Sequence, residues 1–438
     1  MGALTAPGLR EKRFAAYIGG LAKAAGHADR ERPLTAYCAG LLLSGERKSV
    51  EPMAARLAPD NVRRTHQSLH HLVAAARWSD EALLEKVRQS VLPRITRQEA
   101  LAAWIVDDTS FVKKGRHSVG VARQYCGAVG KQENCQVAVS LSVATDEASL
   151  PIAWRLYLPE GWAQDGARRK AAGVPDQIGF QTKPAIALEQ IRRSVEQEVP
   201  GAPVLADSAY GNDTQFREGI TELGLPYVVG IHETTTVWRA GEAAQPQGRR
   251  GGRGRPATRL RRDPRQQPVA VKELALSLPP QAWKRVAWRE GVRGKLRSRF
   301  AAVRVRAAHG GERKSQARGE EWLLIEWPKG EAEPTHYWLS TLPAKTGLKA
   351  LVKLAKQRWI IERDYEELKQ ELGLGHYEGR GWRGFHHHAT LCIAAYGFLV
   401  IERSLFPPSA RVGGLELRAA GIPAGYQPRG SPGARRTA

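Results

Sequence analysis

The chain has 438 residues, 67 of them Lys or Arg against 44 Asp or Glu, for a formal net charge of +23. That length predicts two or three domains rather than one, and a hydrophobic share of 42% is enough for real cores. Four scattered cysteines without a CxxC pair exclude a disulfide framework and a zinc ribbon, and no apolar run approaches the length of about 20 residues that spans a membrane. The N-terminus has no signal-peptide core, so a soluble protein of the cytoplasm is expected. The excess positive charge calls for a polyanionic partner, with nucleic acid first because counterion release drives such binding. A ribosome-associated protein, or a proteome in which Arg replaces Lys, is the blander reading.

Residues 10 to 95 read as helical, with apolar side chains at helical spacing in "RFAAYIGGLAKA", "LTAYCAGLLLSG" and "DEALLEKVRQSVL". The stretch between them carries Arg56, Arg63 and Arg64 and suits either a helix-turn-helix unit on DNA or a bundle with a solvated basic face. From Ala102 strands take over: "WIVDD", "CQVAVSLSVAT" and "LPIAWRLYLP", then an amphipathic helix "KPAIALEQIRRSVEQEV", then the strand "VLA" ending on Asp207. Residues 212–340 read as a β-rich insertion. Within it, residues 248–265 hold eight Arg among Gly and Pro, a segment expected to be ordered only by a polyanion, with Arg253 and Arg255 on DNA. A long helix is expected from Leu348, another apolar helix after "GHYEGRGWRGFHHH", and a disordered tail over 407–438. The fold class is thus α/β, with an all-α N-terminal domain (1–95) before a core in two parts (100–211 and 341–406).

Two hard cations acting on a phosphodiester need acceptor-only oxygens gathered from separate elements. Asp107 and Asp207 each end a strand, and parallel neighbours would set them side by side. A third carboxylate is expected from a helix across that sheet end, where Arg358, Glu362, Tyr365 and Lys369 share one helical face. Such a mixed row is commonly a solvated face, but Trp359, Ile360, Ile361 and Leu368 mark this helix as packed. Asp108 competes with Asp107, since successive strand residues point to opposite faces and only one reaches the site. His386, His387 and His388 read as a DNA contact or a helix start rather than a metal site, and Cys126, Cys135 and His117 lack a second pair for zinc.

With these residues in place, the chain resembles the DDE transposases of bacterial insertion sequences, which have an RNase H-like core. The match is to the branch with a Y-R-E-K signature and a β-rich insert, the family-four type and its seven-hundred-and-one relatives. Arg358, Glu362 and Lys369 satisfy the signature, whereas Ala355 stands where its Tyr is expected. The resemblance covers roughly residues 100 to 400. It implies Asp107, Asp207 and Glu362 as catalytic ligands of two Mg2+ ions, with Mn2+ as substitute, and Arg358 and Lys369 on phosphates. Trp338 in "THYWLSTLP" would stack on an extruded base or, equally, fill a core. Terminal inverted repeats and target DNA are the implied partners, with a homodimer assembled on DNA in the bacterial nucleoid. The alternatives are a nuclease that does not join, and a dead relic that only binds DNA.

Overall fold

Trp104, Ile105 and Val106 are fully buried, and the sheet grows outward from the strand they form. The structure is a computed structural model and describes residues 7–242, 267–291, 294–308 and 319–406, with backbone alone at 245–246 and 260–261. Arg253 and Arg255, and the tail from 407, lie outside the described residues.

Five helices come first: α1 (Pro7–Ala24), α2 (Glu31–Leu42), α3 (Val50–Leu57), α4 (Val62–His70) and α5 (Asp80–Ile95). The sheet opens with β1 (Ala103–Val112), β2 (Ala122–Cys126), β3 (Lys131–Ala144) and β4 (Ser149–Leu156). Helices α6 (Glu160–Ala163), α7 (Gly166–Ala172) and α8 (Lys183–Glu196) lead to β5 (Val204–Ala206), and α9 (Ser208–Gly211) and α10 (Thr214–Glu222) lead on to β6 (Tyr227–Ile231). Then follow β7 (Thr236–Arg239), the small pair β8 (Gln245–Pro246) and β9 (Leu260–Arg261), β10 (Val269–Ala270), α11 (Val271–Leu276), β11 (Lys284–Gly291), β12 (Gly294–Ala307), β13 (Glu321–Trp327) and β14 (His336–Ser340). The chain closes with α12 (Leu348–Lys356), α13 (Trp359–Gln370) and α14 (Trp382–Leu405).

Twelve strands make one mixed sheet, running β10-β7-β12-β13-β14-β6-β5-β1-β3-β2, with β11 on β12 and β4 on β3. Strand β5 is parallel to both β1 and β6, and the remaining pairs are antiparallel. The strands of the β-rich stretch therefore continue the sheet that carries β1, because β14 pairs directly with β6.

Helix α14 is apolar and long enough to cross a membrane, yet 89% of its apolar window is buried inside the protein. Helices α2 and α5 pack around it, and it lies against β4. Tyr17 donates to the Ala394 carbonyl at 2.8 Å, and Arg13 forks onto Glu402 at 2.6 and 2.7 Å, tying α1 to the same helix. The three histidines fill this junction and are buried, which overturns their reading as a DNA contact. Leu156 N–H donates to His386 Nε2 at 3.2 Å, His387 lies between the Val73 and Trp78 carbonyls at 3.0 Å each, and His388 bridges Tyr37 and the Gly373 carbonyl. Polar side chains survive there because backbone groups of distant segments pair with them.

The long helix expected from Leu348 is two. It breaks at Gln357 and Arg358, where the buried Gln357 amide donates to the Thr145 carbonyl at 3.0 Å. The break sets the N-terminal end of α13, and Arg358 with it, against the end of β1.

Candidate active site

Strands β1 and β5 run parallel with Trp104 opposite Val204 and Ile105 opposite Leu205. Two residues on, the same register puts Asp107 beside Asp207, and in-register residues of parallel strands face the same side. Asp207 leaves the strand in extended conformation and its Oδ1 accepts from the Ala209 N–H at 2.9 Å, which starts α9. The turn is held tightly: a side chain at Gly211 would meet the Gly230 carbonyl of β6 at 1.9 Å, and one at Gly230 would press on Asp207 and Ser208 backbone. Only glycine permits that approach.

Arg358 donates to Asp107 Oδ2 at 3.0 Å. Burial pushes the Asp107 carboxyl up to about 6; the charges of Asp207 and Asp108 add to this and Arg358 opposes it. Burial works against the Arg358 guanidinium as well, but Asp107, Asp207 and Glu362 outweigh it and hold its pKa above the ordinary value. One half-buried cation thus balances the carboxylates at the end of the sheet.

Asp108 points the other way. Its carboxylate pairs with Lys183 at the start of α8, on the face opposite α13. Strand alternation therefore sends the two adjacent aspartates to different helices. Beneath Asp107, Tyr365 hydrogen-bonds Ser140, whose hydroxyl reaches the Asp107 carbonyl at 3.3 Å, and burial raises the phenol's pKa. Helix α13 is fixed by Asp364, which accepts from Ser149 and, at 2.7 Å, from Tyr396; burial pushes this acid up to about 6.

The other expected residues are less uniformly placed. Glu362 lies one turn after Arg358, exposed, and near enough to act on its guanidinium. Lys369 is half-buried over Phe111, with its ammonium 3.4 Å from the Ser110 carbonyl. Burial lowers its pKa, and Cys126, Asp107 and Asp108 oppose that. Trp338 is 8% exposed, stacked on His336 at 5.8 Å with the Lys356 ammonium 5.2 Å from its ring centre, so packing occupies its surroundings.

Two residues around this sheet end were not anticipated. Lys183 is 75 positions from its partner Asp108 and carries no local signal. Tyr210 is buried beside the cluster, its pKa raised by burial and by Asp108, Asp107 and Asp207, with no hydrogen-bond partner for its hydroxyl among the described groups. Its place three residues after Asp207 was the available clue.

The donors are hard oxygens, which suit Mg2+ or Mn2+ and exclude a thiolate or imidazole site. Asp107 and Asp207 fit such a cation, since their crowding is what a divalent ion relieves. Among the described residues no three His, Cys, Asp or Glu side chains form a finished metal cluster, and Glu362 is the carboxylate that stands outside the pair.

A family model described as DDE superfamily endonuclease matches residues 20–295, a span that holds Asp107 and Asp207 and ends before α13. The chain is 29% identical over 199 residues to a protein of Microchaete diplosiphon called "Probable transposase for insertion sequence element IS701", covering 45% of this chain and 48% of that relative. The chain thus spans about half the length of the curated relative it matches. The crystal structure of the NurA nuclease from Sulfolobus solfataricus is 9% identical, covers 73% of this chain and 88% of its own, and has a TM-score of 0.23, too low to carry an argument.

Proposed function

The chain belongs to the DDE superfamily of endonucleases, and from that premise we propose that it is a DNA transposase, built on an RNase H-like core, that cuts and rejoins DNA at the ends of an insertion sequence. The observation that carries the reading is the in-register pair Asp107 and Asp207 at the ends of parallel β1 and β5, with Arg358 laid across it.

Asp107, Asp207 and Glu362 are the residues that would hold two Mg2+ ions, Glu362 by turning in from the exposed side of α13. A metal held there would supply Lewis-acid stabilisation of the charge that develops in phosphodiester displacement. The protein's own groups do the rest. Asp107 releases its proton above about pH 6, so it presents anionic oxygens at neutral pH. Arg358, once phosphate competes for it, exchanges a carboxylate for a bidentate grip on the DNA backbone. Lys369 adds a point charge beside β1, and the half-buried setting of both cations strengthens their hold on phosphate relative to water. Exchange of one phosphodiester for another needs no energy cofactor.

The helices of residues 1–95 serve as the DNA-binding part in this reading. Helices α3 and α4, joined by a short turn, match a helix-turn-helix, with Arg63 and Arg64 exposed on α4. Two element ends must be brought together, so the working unit is a homodimer on DNA, in the cytoplasm at the nucleoid.

The test uses the full chain with Mg2+, labelled DNA carrying the inverted repeats that flank its coding sequence, and a target plasmid. The reading expects a nick at the repeat end and a labelled joined product. Cleavage without joining assigns a nuclease instead, and binding without cleavage assigns a catalytically dead relic.

A further inference from the structure

Strands β11 and β12 form an antiparallel ribbon, from Lys284 opposite Phe300 to Gly291 opposite Gly294. Strand alternation gives it two unlike faces. Val286, Trp288, Ser298 and Phe300 turn inward, where Trp288 meets Phe300 edge-on at 5.7 Å and Lys356 of α12 lies 5.1 Å from the Trp288 ring centre. The other face shows Arg285, Ala287, Lys295, Arg297 and Arg299, with Glu290 opposite Lys295, all exposed. In all, the described ribbon carries the cations Lys284, Arg285, Arg289, Lys295, Arg297 and Arg299 against one carboxylate, Glu290.

Most of this charge is not paired within the fold. Lys284, Arg285, Lys295 and Arg297 form no ion pair with another described residue, and Arg285 stands directly opposite Arg299 across the ladder. Like charges so placed are destabilising, and a polyanion is the partner that relieves them. Arg299 lies over the Trp327 ring, its guanidinium carbon 4.7 Å from the ring centre. The ribbon also leads to the carboxylates: Arg289 stacks on Trp359 at 3.8 Å, and Trp359 follows Arg358 in the chain.

We propose that the free face of the β11–β12 ribbon docks the backbone of the DNA duplex that enters the active site, with Arg285, Lys295 and Arg297 on its phosphates and Arg299 poised beside them. The proposal rests on the DNA-processing reading above. A two-stranded ribbon also matches the width of a major groove, about 12 Å.

The experiment compares the full chain with the double variant Arg285→Ala/Arg297→Ala and with a charge-matched control, Lys170→Ala/Arg192→Ala, on exposed positions of α7 and α8. Affinity for a labelled duplex is read by fluorescence anisotropy between about 50 and 200 mM salt, and melting curves check that each variant folds. Each lost phosphate contact lowers the slope of log affinity against log salt by about 0.9. The ribbon variant is expected to lose about 1.8 of slope, so that wild type sheds about tenfold more affinity than the variant over that range; the control keeps the wild-type slope. An unchanged slope in the ribbon variant overturns the proposal, as does a shift from dimer to monomer in sedimentation with the slope unchanged, which would make the ribbon a self-association face. A wild-type chain that binds no duplex would instead overturn the functional reading itself.

Discussion

Replacing Asp107 by Asn should stabilise the protein at high pH while removing its chemistry. Burial and the neighbouring Asp207 and Asp108 push the Asp107 carboxyl from 3.8 up to about 6, a rise of about 2 units, or about 3 kcal/mol at 1.36 kcal/mol each. The folded state therefore binds this proton more tightly than the unfolded chain does. The group's stabilising contribution is complete below about pH 4 and lost as pH rises through about 6. Asn mimics the neutral acid, and Arg358 keeps Asp207 and Glu362 as counter-charges. In EDTA-treated samples the variant should match wild type near pH 4, gain about half of the 3 kcal/mol by pH 5 and all of it by pH 8. Thermal unfolding across that range reads the gain as roughly 3–6 °C, at about 1–2 °C per kcal/mol for a chain of this length. A variant whose advantage does not grow with pH, or that is less stable than wild type at pH 8, would refute the crowding of carboxylates at this sheet end.

Three further outcomes follow from the same geometry. Added Mg2+ should raise the wild-type melting temperature, by the equivalent of about 2.7 kcal/mol at a hundred times its dissociation constant, and should do far less for Asp107→Asn or Asp207→Asn; equal shifts in all three would place the cation elsewhere. Gly211→Ala should destabilise by about 3 kcal/mol or more, because its Cβ meets the Gly230 carbonyl at 1.9 Å and backbone yields less than side chains; wild-type stability in denaturant melts would contradict that close approach. Lys183→Met should cost about 1 kcal/mol, since the Asp108 pair is partly exposed, and leave cleavage near the wild-type rate, whereas loss of cleavage would bring Asp108 into the site.

The strand ends that bring Asp107 and Asp207 together were legible because their signals are local. An unbroken apolar run ending on Asp107, and another ending on Asp207, mark strand ends without any knowledge of pairing, and the Arg358, Glu362, Tyr365 and Lys369 spacing marks one helical face. What stayed hidden depends on partners far away in the chain. Gln357 breaks the long helix because its amide finds the Thr145 carbonyl, a contact that no helical pattern announces. His386, His387 and His388 look like surface residues until the carbonyls of Val73, Trp78 and Gly373 and the amide of Leu156 are brought to them. The strands between Tyr227 and Ser340 read as strands, but their continuation of the β1 sheet rests on β14 pairing with β6, a long-range match that strand propensity does not encode. Strand alternation alone left Asp107 and Asp108 competing and only the family resemblance put Asp107 first; their different partners, Arg358 and Lys183, come from helices far apart in the chain.

The most direct measurement is Mg2+-dependent cleavage of labelled end DNA by Asp107→Asn, Asp108→Asn and Asp207→Asn, side by side. The account predicts that the first and third cut nothing above background while still binding the DNA, and that the second cuts near the wild-type rate. Cleavage by Asp107→Asn together with none by Asp108→Asn would contradict it.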